Sequence, residues 1–325
     1  MSSGVMAGGL RCRAGRDYAH AGRRPTGRVG ECDAGPHFPA PGAVLDMPGL
    51  GKGADESMRH PFLAFVTTAY ALSWSAWIFG FWQGEGPLAT LGHYAGGFGP
   101  LLAALIVTIA LGRDPWAWFK GLFKWRLGLG WYLFVLGFPV LLVAIASALF
   151  VALGHSIDFS LAPARLASYA PLFVFMALIG GGNEEPGWRG FGLPTLQETL
   201  TPFRATLLLG LVWAFWHFPL LWGDPAVRAG EVPVSALGVQ VGFLLVSITA
   251  HAFWYTWLIN RTGSVFLCIL LHAGYNTSNG LLVLVSEADM AGDAGGVLLA
   301  LMTAVVLGSV LVLLAATRGR LGKPA

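Results

Sequence analysis

The segment Ala177-Leu178-Ile179-Gly180-Gly181-Gly182-Asn183-Glu184-Glu185-Pro186-Gly187-Trp188-Arg189-Gly190 places two adjacent acids and an arginine inside an otherwise apolar stretch. An ionisable group at bilayer depth costs about 3 kcal/mol even on the milder insertion scales. Two acids side by side make poor lipid-facing residues. They point to a polar interior enclosed by apolar helices, and to function at that place.

Composition agrees with such a setting. The chain has 325 residues, 55% hydrophobic and 11% charged, with a mean hydropathy of +0.64. Soluble domains carry about 25% charged residues. The deficit reads as an all-α, polytopic membrane protein, and it excludes an ordinary cytosolic domain. The net charge is +3. It forms no spread basic surface, so the expected surroundings are a lipid bilayer and a peptide or protein substrate, not nucleic acid. Cys12, Cys32 and Cys268 form no metal-binding or redox pair, and Cys268 reads as a small core residue.

Residues 1–57 are rich in Gly, Pro, Ala and Arg, without apolar periodicity, and read as a disordered extension of uncertain place in the mature chain. Residues 58–325 read as one transmembrane domain. Spanning needs about 20 apolar residues. Eight spans meet the pattern, at about 61–82, 88–112, 130–153, 168–184, 204–222, 236–259, 264–285 and 295–316. The fourth is short and is expected to continue past its acids as an interrupted helix. Basic loops (Arg113, Lys120, Lys124 and Arg126; Arg204; Arg261; Arg318, Arg320 and Lys323) alternate with acidic or mixed ones (Glu85; Asp158 and Arg165; Asp224, Arg228 and Glu231; Glu287, Asp289 and Asp293). The positive-inside rule then places both termini in the cytoplasm of a multi-pass cell-membrane protein. The loop with Trp116, Trp118, Phe119, Phe123 and Trp125 among its lysines suits a helix in the interface or an aromatic belt.

Polar clusters within the spans carry the chemistry: Glu184 and Glu185 with Arg189, then His217, then His272 with Asn276. Span positions put Glu184 about 24 Å from its outer start, and His217 and His272 about 20 and 12 Å from their inner starts. These depths allow them to meet, with the inner half of the membrane as the expected level. Glu185 and Arg189 stand at i, i+4, the favourable order for a helix ion pair, although Pro186 and Gly187 weaken that geometry. A carboxylate with imidazoles can hold and deprotonate water, and an imidazole with an amide can stabilise an oxyanion. Two histidines and a glutamate (Glu184, His217, His272) are equally the ligand set of a catalytic zinc. No HExxH or GxSxG motif is present. His251, a fourth polar cluster, reads first as a helix–helix hydrogen bonder and second as an extra pocket ligand, His93 and His155 read as interfacial, and Gly180, Gly181 and Gly182 as close-packing or hinge residues.

The ordered set Glu-Glu-x-x-x-Arg, aromatic-x-x-x-His and His-x-x-x-Asn resembles the CPBP family. These are the CAAX-protease and bacteriocin-processing intramembrane proteases, with the Ras-converting CAAX endopeptidases among their relatives. The resemblance covers about residues 165–285. It implies Glu184 as the water-activating glutamate, His217 as its partner, His272 and Asn276 as the oxyanion site, and Glu185 and Arg189 in support. Trp213 stands where the family usually has Phe, a change that reads as conservative. The resemblance leaves both a metal-dependent and a metal-free glutamate mechanism open. An intramembrane endopeptidase is the first expectation. A non-proteolytic immunity or scaffold protein binding a peptide partner is the second, and a transporter with a midplane acid the third.

Overall fold

Proline opens helix after helix in this chain, where its missing N–H is one the first turn leaves unpaired anyway. The computed structural model describes residues 60–290 and 292–323; the expectations for residues 1–57, Cys12 and Cys32 lie outside them. Pro61 starts α1 (Pro61–Trp82), and Pro87 starts α2 (Pro87–Gly96). Next come α3 (Gly99–Ala110), the short α4 (Pro115–Leu122) and α5 (Leu129–Ala152). A 3₁₀ turn at Phe159–Leu161 leads into α6 (Ala162–Leu178). The acidic segment follows as a chain of single turns from Gly182 to Leu196, one of them a π turn at Trp188–Gly192. Then come α7 (Pro202–Trp216), α8 (Phe218–Gly223), α9 (Val234–Thr262), α10 (Val265–Leu281) and α11 (Asp293–Thr317). No β-strand occurs among the described residues.

The chain is an all-α polytopic membrane protein. Six helical stretches are long and apolar enough to cross a bilayer, and seven if α2 and α3, bent by 51°, count as one. The expected span 264–285 corresponds to α10, whose 17 residues rise about 26 Å, somewhat less than a hydrocarbon core of about 30 Å. Apolar side chains such as Leu133, Leu141, Leu311 and Val312 point outward and are exposed. In water they would form a large sticky surface; against lipid they are well placed.

Small residues bring the helices together. A Cβ on Gly92 would lie 2.7 Å from the Cα of Gly80, and one on Gly99 would lie 1.9 Å from the Ser73 hydroxyl. This close approach lets α2 and α3 fold back along α1, with the Trp77 indole N–H donating to the His93 carbonyl at 2.8 Å.

The bundle has two chemically different ends. At one, Ser264 caps α10 and donates to the Lys124 carbonyl at 2.8 Å, while Asn260 donates to the Leu321 carbonyl at 2.9 Å. Arg113, Lys120, Lys124, Arg126, Arg204, Arg261, Arg318, Arg320 and Lys323 gather at this basic end. At the other, Arg228 donates to the Phe81 carbonyl at 3.2 Å, and Arg165 donates to the carbonyls of Val283 and Val285. Glu85, Asp158, Asp224, Glu231, Asp289 and Asp293 make this end acidic. On α4, capped by Asp114, Trp116 and Phe119 are exposed and Lys120 lies 5.0 Å over the Trp116 ring. That arrangement suits a short helix lying along the basic interface.

Candidate active site

Beyond α6 the chain cannot continue as a regular helix. Gly181 has φ +143°, a conformation only glycine adopts without strain, and the regular helix gives way there to single turns. This break brings the backbone around Gly180 and Gly181 against α10. Asn276 donates from Nδ2 to the Gly180 carbonyl at 3.0 Å. A Cβ on Gly181 would lie 2.6 Å from His272 Nε2 and 2.8 Å from Asn276 Nδ2. The glycine is therefore the packing surface against which both side chains rest. Gly181→Ala is expected to displace both, lowering kcat/KM by about 10²–10³-fold if they hold an oxyanion. Gly238→Ala, where nothing lies within 4 Å, should leave activity unchanged; assaying both variants alongside the wild type checks this.

Glu184 sits at the start of the next turn and is 6% exposed. Its Oε2 accepts from the indole N–H of Trp213 at 2.7 Å and from that of Trp188 at 3.3 Å. The two indoles fix the carboxylate and leave Oε1 toward the cavity. Trp213 is thus more than a conservative replacement for Phe, since Phe has no N–H to give.

His217 ends α7. Its Nδ1 is 2.9 Å from the Trp213 carbonyl. A carbonyl only accepts, so Nδ1 carries the hydrogen and Nε2 presents a lone pair. His251 is built the same way, with Nδ1 2.7 Å from the Ser247 carbonyl and a buried Nε2 without a protein partner. His272 differs, because its Nδ1 is 2.8 Å from Glu185 Oε1. The same oxygen accepts from Arg189 Nη1 at 3.1 Å, and both Glu185 and Arg189 are buried. The ion pair forms despite Pro186, which is the second residue of its turn, where a backbone N–H has no partner within the turn to lose. The Arg189 guanidinium is 4.1 Å from the Trp213 ring and 4.3 Å from that of Tyr255. Those faces meet the Nε and Nη2 groups that no acceptor reaches.

One cavity of about 270 Å³ joins these groups: Glu184, His217, His272 and Asn276 line it together. Glu185 and Arg189 stand behind its wall. His251 and His93, which sequence reasoning reads first as structural and interfacial, are on the lining. So is Gly181.

The helix bounds leave the counted depths nearly unchanged. Trp77, on the lining, lies about 24 Å from the basic start of α1 and about 8 Å from its acidic end. His217 lies about 22 Å from the basic start of α7. His272 lies about 10 Å from the basic start of α10, so the lining groups extend over several helical turns of the bundle.

The donor set is not arranged for zinc. Among the described residues no three His, Cys, Asp or Glu side chains are arranged to hold a metal ion. Glu184 Oε2 is already taken by two indole donors, and His272 Nδ1 by Glu185. The expected set of Glu184, His217 and His272 shares a cavity without converging on one point, so it does not fit a zinc as arranged.

The segment carrying these groups has known relatives. Residues 166–278 match the family described as type II CAAX prenyl endopeptidase Rce1-like. The segment is similar to that family. One similar curated protein is CAAX prenyl protease 2 of Methanococcus maripaludis, 29% identical over 135 residues. That alignment covers 41% of this chain and 48% of the relative, so the chain spans about half the length of the curated relative it matches. The Rce1-like segment runs from α6 to α10 and contains every residue of the expected site, from Glu184 to Asn276. The resemblance drawn from the three motifs therefore rests on a family match as well as on spacing.

Proposed function

We propose that this protein is an intramembrane endopeptidase that hydrolyses a peptide bond by a glutamate-activated water. The observation that carries this reading is the shared cavity of Glu184, His217, His272 and Asn276. Glu184 takes a proton from water at Oε1 while Trp213 and Trp188 hold Oε2 still. The Nε2 lone pair of His217 accepts the water's other hydrogen and aims its oxygen. Attack on the scissile carbonyl carbon breaks the C=O π bond and places a negative charge on the oxygen. His272 Nε2 and the second Nδ2–H of Asn276 donate to that oxygen. For His272 to donate there as well as to Glu185, both ring nitrogens carry hydrogen, and Glu185 is the carboxylate that faces the resulting charge. Glu184 then returns its proton to the departing amine nitrogen as the C–N bond breaks.

The relative's name supports a prenylated C-terminal peptide as the first substrate to try. The scheme has the protein in the cell membrane with both termini cytoplasmic, as the clustering of basic residues at one end supports. Purified protein in liposomes should cleave a member of a peptide panel that includes prenylated and unprenylated C-terminal sequences. Cleavage should persist after metal stripping and in the presence of chelator. Full loss on chelation, restored by zinc, would sink the metal-free scheme. Absence of cleavage across the panel and a membrane proteome would favour the scaffold reading.

A further inference from the structure

The reaction scheme leaves a buried histidine of the lining without a task. His251 stands on α9, is 8% exposed and lines the cavity. A histidine that serves packing within a bilayer hydrogen-bonds across to another helix. His251 does not. Its Nδ1 meets the Ser247 carbonyl at 2.7 Å, one turn back on the same helix. That bond puts the hydrogen on Nδ1 and leaves Nε2 an acceptor only. Among the described residues no donor reaches Nε2. A buried acceptor without a donor is destabilising. Since His251 is part of the lining, its donor comes from what enters the cavity.

The position of His251 says which donor that is. Its ring lies 4.0 Å, centroid to centroid, from that of Tyr275, which directly precedes Asn276. One turn further along α9, the Tyr255 ring lies 5.8 Å from that of His272. One turn is about 6 Å, the length of about two residues of extended chain. A peptide whose scissile carbonyl oxygen rests between His272 and Asn276 therefore runs within reach of His251. Such a peptide carries one N–H per residue, and each N–H loses its water on entering. Glu184 and His217 are engaged with the attacking water. We propose that His251 is a substrate-binding residue whose Nε2 accepts a backbone N–H of the peptide within about two residues of the scissile bond. The placement of the scissile bond rests on the protease reading above; the acceptor itself serves a bound peptide whether or not it is cleaved.

A side-chain change paired with a backbone change tests this. His251→Phe keeps a ring against Tyr275 and removes the acceptor. His251→Gln puts an amide oxygen near the place of Nε2. In the peptide, each amide bond within two residues of the scissile one is replaced in turn by an ester, which keeps the course of the chain and loses the N–H. The probe is the prenylated C-terminal peptide, given to the full-length chain in liposomes. His251→Phe should unfold at the wild-type temperature or above, because no protein donor is left stranded. It should lower kcat/KM about 3–10-fold, the worth of one neutral hydrogen bond, with most of the change in KM. His251→Gln should recover part of that loss. One ester should lower wild-type kcat/KM by the same factor and cost His251→Phe nothing further, since the two changes remove the same contact.

The proposal is overturned if His251→Phe keeps full kcat/KM, or if every ester costs the variant as much as it costs the wild type. A variant that unfolds early and shows no such coupling would make His251 a packing residue, which overturns the proposal as well. If the wild type binds the peptide without cleaving it, the protease reading fails and His251 is still decided. The same pairs of variant and ester are then compared by the Kd of a fluorescently labelled peptide. Coupling at one ester supports the acceptor role, and independent losses at every ester overturn it.

Discussion

Glu184→Gln is expected to lower kcat by about 10²–10⁴-fold, the range that a positioned general base contributes, with the fold intact. Glutamine has the same shape, and its amide oxygen can still accept from Trp213 and Trp188, which donate to the native carboxylate at 2.7 and 3.3 Å. That orientation turns the amide nitrogen toward the cavity. A donor then stands where the proton acceptor stood, and water held there cannot give up its proton. Because the indole contacts survive, thermal unfolding should move little. Single-turnover rates and unfolding curves on the same preparations check the two halves together. A variant that retains about a tenth or more of wild-type turnover would remove Glu184 from the role of base.

Arg189→Met should destabilise the protein by about 3–5 kcal/mol, the cost of stranding one member of a buried ion pair. Arg189 is 1% exposed and Glu185 fully buried, so neither can be rescued by solvent. The double variant Arg189→Met with Glu185→Gln removes both charges and should recover much of that loss. It should not recover activity, because Glu185 is also the partner of His272 at 2.8 Å. Denaturant or thermal unfolding in detergent, set beside kcat, separates the two effects. If the double variant regained full turnover, the contact between Glu185 and His272 would be incidental.

How much of this could be read from sequence follows from the range of each interaction. The spans were legible because a membrane imposes length and apolarity on contiguous residues; α1 was expected at 61–82 and is found at Pro61–Trp82. The acids, His217, His272 and Asn276 were legible as candidates because a polar group in an apolar run is costly enough to need a reason. Their neighbours were not. Trp188 and Trp213 look like ordinary apolar residues in sequence, yet each turns its one N–H to Glu184. Gly181 reads as a hinge, and only the approach of α10 shows it to be the floor beneath His272 and Asn276. The zinc alternative came from residue types alone, which carry no information on where their nitrogen and oxygen atoms point.

The aromatic and leucine packing beneath Glu184 also bears on the energy economy of the cell. A hydrolytic site within the bilayer needs water, and water files conduct protons. His272 lies about 10 Å from the basic end of α10, and the intervening Phe65, Trp188, Phe191, Leu258 and Leu267 are buried apolar side chains, with the mutually paired Glu185 and Arg189 buried beside them. That layer works as electrical insulation. It lets the pocket be wetted from one face while the membrane keeps its proton gradient, so hydrolysis can proceed at mid-depth without a leak.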